Sequence, residues 1–180
     1  MSFKDIREFV AFLEGKGELT RIKTPVSCEL EITEICDRVV KAGGPALLFE
    51  NVEGYDIPVL INVFGTEQRM AWALGVERLD DLAGRISDLL GMIQGPPKGV
   101  MDKLRALGQL AKLASFQPKM VKNAPCQEVI IQGDQVDLNK FPVLKCWPMD
   151  AGRYITLPLV ITRDPDTGAR NVGMYRIQIF

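Results

Sequence analysis

The residues best placed to do chemistry lie in one run, Asn171-Val172-Gly173-Met174-Tyr175-Arg176, where an amide and a guanidinium stand five positions apart in an uncharged, β-forming stretch. The Asn171 amide offers a hard, neutral oxygen suited to a cation that holds a phosphate. The Arg176 guanidinium offers a planar fork suited to a carboxylate. On a regular strand Asn171, Gly173 and Tyr175 face one side and Val172, Met174 and Arg176 the other. One ligand touching both ends therefore requires a bulge or twist, expected at Gly173. By residue type alone, an Arg on a strand is more often a solvated edge or a structural ion pair.

The other chemistry-bearing positions have plainer readings. Gly43-Gly44-Pro45-Ala46 could form a phosphate-binding nest, but it leads from a helix into a strand and so reads better as a helix C-cap and turn. Gly65-Thr66 reads as the N-cap of a helix, and no site is assigned in the first domain. Lys145-Cys146-Trp147-Pro148 could wall a pocket for an aromatic ligand or pack Trp147 in the core. As a nucleophile Cys146 lacks an activating partner, since the 180 residues contain no histidine. That absence also removes Ser-His-Asp catalysis and His-rich metal sites.

Composition narrows the class further. Lys and Arg total 22 against 23 Asp and Glu, for a net charge of -1, so the basic face of a nucleic-acid binder is not expected. Hydrophobic residues make up 47%, enough for a real core. The four cysteines form no CxxC pair, which suggests reduced thiols in a cytoplasm. No apolar run approaches the roughly 20 residues of a membrane span.

The elements that must position these residues follow from periodicity. Ser2 is expected to cap a first helix with apolar positions Phe3, Ile6, Phe9, Val10 and Leu13 and with Asp5 in its first turn, ended by Gly15 and Gly17. A strand over 19–23, a helix over 29–41, strands over 46–50 and 58–62, and helices over 67–74 and 79–90 follow. After the break at 94–99 an amphipathic helix is expected over 100–115, extending toward 122 as a basic face. From Cys126 onward the pattern turns to β: 128–132, a turn at Gly133-Asp134, 141–143, 155–162, a hairpin loop at 164–168, and a terminal strand over 170–180 with no partner after it. The expected class is α+β: a small N-terminal α/β domain, a boundary near 115–125, and then an incomplete sheet or barrel whose last strand has no partner after it.

Ordered blocks along nearly the whole chain resemble the UbiD family of prenylated-FMN-dependent (de)carboxylases, especially the branch acting on polyprenyl-4-hydroxybenzoate. They include Gly15-Lys16-Gly17-Glu18-Leu19, Ala42 through Asn51, Asn62-Val63-Phe64-Gly65-Thr66, Pro96-Pro97-Lys98-Gly99, Cys146-Trp147-Pro148 and Asn171 through Arg176. The resemblance implies that Asn171 binds the divalent metal, usually manganese with potassium as a further ion, that holds the cofactor phosphate. It implies that Met174, Tyr175 and Arg176 line prenylated FMN. Arg176 would be the catalytic Arg of an acid-Arg-acid constellation, orienting the substrate carboxylate. The strand's span of about 16 Å suits a mononucleotide flavin laid from phosphate to ring.

The implied reaction is the reversible, non-oxidative decarboxylation of an aromatic acid such as 3-polyprenyl-4-hydroxybenzoate through a covalent prenylated-FMN adduct. The setting would be quinone biosynthesis or aromatic metabolism. Family members are longer, so the chain resembles their amino-terminal portion: the resemblance implies an N-terminal α/β domain over 1–118 and the beginning of a split β-barrel flavin-binding domain over 119–180. The metal-binding His and Glu and the catalytic acids would lie beyond residue 180, and the chain alone is expected to be inactive. The implied partners are the aromatic acid, a flavin prenyltransferase that supplies cofactor, and further copies of the full-length protein. No nucleic acid is expected, and the location is the cytoplasm; the basic helix is expected to pack between domains, with peripheral contact to the inner membrane as the alternative. The alternative is a non-catalytic truncated homologue that uses a sheet edge as a binding or assembly module.

Overall fold

The structure, a computed structural model, describes residues 3–93 and 121–180. The chain divides into two compact units, Met1–Gly75 with Asp137–Phe180, and Val76–Val136. Ser2, the break at 94–99, the helix expected from 100 and the domain boundary at 118/119 all lie outside the described residues.

In the first unit, helix α1 (Ile6–Gly15) starts at Asp5, whose carboxylate accepts from Arg7 N and Glu8 N. Asp5 is thus the N-cap itself, because its short side chain reaches the orphan amides of the first turn. At the other end Gly17 takes φ +73°, and Gly17 N and Glu18 N bond back to the Glu14 and Leu13 carbonyls, a left-handed glycine cap. Strand β1 (Leu19–Ile22) follows, then helix α2 (Glu31–Lys41). Gly43 and Gly44 close α2 in the same way, bonding to Val40 O and Val39 O. The Gly43-Gly44 run is therefore a helix cap, as its position between helix and strand suggests.

Strands β2 (Ala46–Phe49) and β3 (Val59–Ile61) complete a sheet of order β1-β2-β3, parallel at β1-β2 and antiparallel at β2-β3. Helix α3 (Glu67–Ala73) is capped by Thr66, whose hydroxyl accepts from Arg69 N. One face of the sheet buries Phe9, Leu13, Leu19 and Ala46, and the other buries Val26, Ile32, Leu47, Phe49 and Val52.

Arg69 is fully buried and is held by Glu18 at 2.7 Å and by the Gly44 carbonyl at 3.2 Å. Beside it Asn62, at φ +60°, donates to the Pro45 carbonyl at 2.8 Å. A Cβ on Gly65 would lie 1.7 Å from Asn62 Oδ1, so that position has no room for a side chain. The Asn62–Thr66 block thus ties the α2 cap to the start of α3.

Leu144 enters the same core as Ile32 and Phe49. Its backbone continues into a bridge between Lys145 and Glu29, with Leu30 N bonded to Lys145 O and Lys145 N to Cys28 O. To make that bridge Leu30 takes φ +69°, and Glu31 N bonds to Glu29 O across a tight γ-turn. A left-handed leucine costs about 1–3 kcal/mol and persists only where its surroundings fix it. Here the paired Lys145 backbone fixes it, and Arg153 Nη1 on Tyr55 Oη at 2.7 Å adds a second tie.

Strands β4 (Arg153–Ile155), β5 (Leu159–Arg163), β6 (Arg170–Met174) and β7 (Ile177–Ile179) form two antiparallel pairs, β4-β7 and β5-β6. The β-rich character of this segment matches expectation, but its strands are shorter. The expected strand over 155–162 is two strands, since Pro158 cannot donate to a ladder. The terminal strand over 170–180 breaks at Tyr175 and Arg176, and its last part is not without a partner: β7 pairs with β4, which precedes it. The Asp164–Gly168 loop does close a hairpin, with Asp164 Oδ1 accepting from Asp166 N and Thr167 N.

The second unit contains helix α4 (Asp81–Ile93), opened by Asp81 accepting from Arg78 N at 3.0 Å. It also contains a 3-10 turn, Pro125–Gln127. Residues 128–132 form no strand, and a second 3-10 turn, Gly133–Gln135, stands at the expected Gly133-Asp134 turn. The β-branched run Val129-Ile130-Ile131 suggests a strand at 128–132, but no ladder partner is present among the described residues. The fold is mixed α+β, without a closed barrel among the described residues.

Candidate functional site

Each half of the Asn171–Arg176 run is positioned by a different strand pair. In the β5-β6 hairpin Thr162 opposes Asn171 and Val160 opposes Gly173, while Ile161 opposes Val172 and Leu159 opposes Met174. Asn171 and Gly173 therefore share one face and Val172 and Met174 the other, as alternation requires. Gly173 keeps its place in the ladder, so the expected bulge there is absent. It is instead a contact surface: a Cβ added to Gly173 would meet the Tyr175 ring at 2.5 Å. The chain changes strand partner after it, at Tyr175-Arg176, where β6 ends and β7 has not begun.

That change of partner brings Arg176 to the edge of the β4-β7 pair. Tyr154 on β4 stands opposite Gln178 on β7 and donates from its hydroxyl to Gln178 Oε1 at 3.0 Å. Arg176 lies two residues before Gln178, and its guanidinium carbon sits 3.8 Å from the Tyr154 ring centroid. A guanidinium over a tyrosine face is attracted by the ring quadrupole. At its end, Arg176 Nη2 donates to Asp150 Oδ2 at 2.6 Å. The side chain of Asp150 is 12% exposed and that of Arg176 43%, so the pair is half-buried with its guanidinium toward solvent.

Asp150 is itself fixed. It closes a turn in which its own amide bonds to Trp147 O, while Oδ2 also accepts from Trp147 N. The Arg176 guanidinium, with help from that amide, holds the Asp150 carboxyl below its ordinary range. Reciprocally, Asp150 raises Arg176, and the Cys146 side chain contributes in the same direction. Arg176 is therefore a permanent cation with one end occupied.

Sequence reasoning singled out Asn171, Met174, Tyr175 and Arg176, and all four are exposed. Among the described residues no hydrogen bond, ion pair or ring contact joins Asn171 to Arg176. It missed Asp150, Tyr154 and Gln178. The i, i+2 spacing of Arg176 and Gln178 was the available signal, since it places both on one strand face. Tyr154 could be added only once the β4-β7 pairing was known. Trp147 is exposed rather than buried in a core, and with Cys146, Pro148, Leu30 and Thr33 it lines a cavity of about 450 Å³. All four cysteines are free thiols.

A flavin and metal can be tested against this donor set. Beyond the Asp150 bond and the Cys146 side chain beside it, the Arg176 fork has further N–H donors, which suit a carboxylate. Among the described residues no group of three His, Cys, Asp or Glu could hold a metal. Asn171 fits as a single oxygen ligand, and a hard cation needs several more. No helix among the described residues is long and apolar enough to cross a membrane.

Two family models match the chain: the N-terminal domain of 3-octaprenyl-4-hydroxybenzoate carboxy-lyase over residues 10–86, and the Rift-related domain of the same enzyme over 119–180. An uncharacterised protein of Archaeoglobus fulgidus is 54% identical over 180 residues, covering 100% of this chain and 36% of that protein. Among solved structures, an evolved dimeric form of the UbiD-class enzyme HmfF from Pelotomaculum thermopropionicum, in complex with prFMN, matches with TM-score 0.73 at 32% identity, over 98% of this chain and 36% of that one. The closed form of vanillic acid decarboxylase from Sedimentibacter hydroxybenzoicus matches with TM-score 0.75 at 30% identity, over 100% of this chain and 36% of that one. The chain thus spans about a third of the length of these relatives.

Proposed function

The chain belongs to the UbiD family, and on that premise we propose that it supplies part of the prenylated-FMN site of a carboxy-lyase acting reversibly on an aromatic acid such as 3-polyprenyl-4-hydroxybenzoate. The observation that carries the proposal is the half-exposed Arg176 guanidinium, clamped at one end by Asp150 and on one face by Tyr154. A clamped fork presents its remaining donors in a fixed plane, which is what bidentate capture of a carboxylate requires.

Arg176 would bind and orient the substrate carboxylate. Met174 and Tyr175, exposed beside it, would flank the flavin and exclude water from the reacting carbon. Asn171 would give its amide oxygen to the manganese, or accompanying potassium, that anchors the cofactor phosphate. When bound, prenylated FMN supplies a sink for the electrons released as CO2 departs. The remaining ligands and the acid that returns a proton to carbon would come from polypeptide beyond these 180 residues.

The full-length protein would be a cytoplasmic oligomer that receives its cofactor from a flavin prenyltransferase. It would meet a polyprenyl substrate at the inner-membrane surface and serve quinone biosynthesis or aromatic metabolism. A second reading is favoured by the apolar face of Leu159, Ile161, Val172 and Met174, all exposed. It makes the chain a non-catalytic module that docks another protein.

Native mass spectrometry after co-expression with a flavin prenyltransferase, followed by anaerobic assay for CO2 release, separates these readings. The 180-residue chain alone is expected to hold no stoichiometric flavin and to release no CO2. Joined to the remaining two-thirds of the 54%-identical relative, it is expected to carry prenylated FMN and manganese and to turn over. Turnover by the short chain would contradict the incomplete-site account, and a joined protein without flavin would contradict the enzyme reading.

A further inference from the structure

Arg176 is the end of a relay of contacts that reaches two strands and a turn. Gln178 Oε1 accepts from the Tyr154 hydroxyl at 3.0 Å, and the Tyr154 ring lies 3.8 Å from the Arg176 guanidinium carbon. The backbone of Tyr154 is itself fixed on both sides, pairing with Gln178 and donating to Leu144 O at 2.8 Å. On the second branch the Trp147 amide holds Asp150, and Asp150 holds Arg176 Nη2 at 2.6 Å. Gly152 leaves room for this arrangement, since a Cβ there would press on Gln178 Nε2 at 3.0 Å.

The two contacts constrain different degrees of freedom. A stacked ring fixes the plane of a guanidinium but lets it rotate in that plane. A single hydrogen-bonded carboxylate fixes its in-plane direction but lets it tip. Together they leave one orientation, with the Cys146 side chain as a further neighbour of the guanidinium.

We propose that Asp150 and Tyr154 are the positioning residues of Arg176: Tyr154 sets the plane of its guanidinium and Asp150 its direction, so that its remaining donors are aimed before any carboxylate arrives. The proposal rests on the carboxylate-binding reading of Arg176 for its purpose, but not for its test. Long side chains lose much rotational freedom on binding, and a pre-aimed Arg has already lost it. Asp150 also balances the Arg176 charge, so the incoming carboxylate is recognised by geometry more than by net charge.

The test is side-chain 15N NMR of Arg176 in the 180-residue chain, reading the Nε–H order parameter, with 4-hydroxybenzoate as the titrant. Asp150→Asn and Tyr154→Leu should each lower the Arg176 order parameter toward that of a free side chain. Tyr154→Phe, which keeps the ring and loses only the hydroxyl, should retain most of it and guards against loss of folding as the explanation. An Arg176 already disordered in the wild-type chain, or unchanged by both Asp150→Asn and Tyr154→Leu, overturns the proposal. An ordered Arg176 that loses order in those variants upholds the positioning roles whether or not it responds to 4-hydroxybenzoate, and absence of that response in the joined, flavin-loaded protein counts against the carboxylate reading.

Discussion

The α1–β3 layer and the β5-β6 hairpin use similar residues to opposite ends. In the layer, Leu13, Ile32 and Phe49 are 0% exposed, and both helix ends that face it are closed by glycine caps. In the hairpin, Leu159, Ile161, Val172 and Met174 are 56–69% exposed although each sits in a regular ladder. Ladder hydrogen bonds are therefore enough to shape the hairpin, whereas burial stabilises the layer. A strand pair whose apolar face meets no other element among the described residues is a surface for contact, and the expected ligand residues Asn171 and Met174 both stand on that hairpin.

The contrast can be tested by substitution. Phe49→Ala in the layer should cost about 3–5 kcal/mol, measured as a fall in the urea midpoint. A cost below about 1 kcal/mol would erase the distinction. Next in size, Gly65→Ala should destabilise by about 1–3 kcal/mol, because Asn62 must leave the space its Oδ1 occupies. Thr66→Ala removes the α3 cap and should cost about 1 kcal/mol by the same measurement. Smallest of all, Ile161→Ser on the open face should change stability by no more than about 0.5 kcal/mol, and a larger loss would show that this face is packed.

Acid offers a separate view of the β-rich segment. Asp150 is held low first by Arg176, and Asp164 first by the Thr167 amide. Both carboxyls are depressed in the folded chain. Their stabilising contribution is therefore fully present above the ordinary Asp value of about 3.9 and is lost as pH falls through the lower folded values. In 13C-carboxyl NMR, Arg176→Gln should move the Asp150 midpoint upward and leave that of Asp164 in place. An unmoved Asp150 would mean that the ion pair is not formed in solution.

Local features were legible where the responsible atoms are close in sequence. The glycine caps after α1 and α2, the Thr66 cap and the 164–168 hairpin all rest on contacts within a few residues, and each reads directly from residue type. What required the structure was long-range pairing. Residues 128–132 carry a β-branched run yet find no ladder among the described residues, and β7 finds β4 across more than twenty residues of chain. The same limit applied to the site: Arg176 was identifiable by its chemistry, but Asp150 reaches it only through the turn at Trp147 and Tyr154 only through that pairing. The block 62–66 is visible as a motif in the sequence, but its role in supporting a buried Arg69 is visible only in three dimensions.

The central claim is that Arg176 receives the carboxylate of an aromatic acid, and carboxyl exchange tests it most directly. In the protein joined to the remainder of its Archaeoglobus relative and loaded with prenylated FMN, 13C-bicarbonate should enter the aromatic acid. Arg176→Lys should slow that exchange by about 100-fold or more, because an ammonium cannot replace a clamped planar fork. Exchange at the wild-type rate in Arg176→Lys would contradict the account.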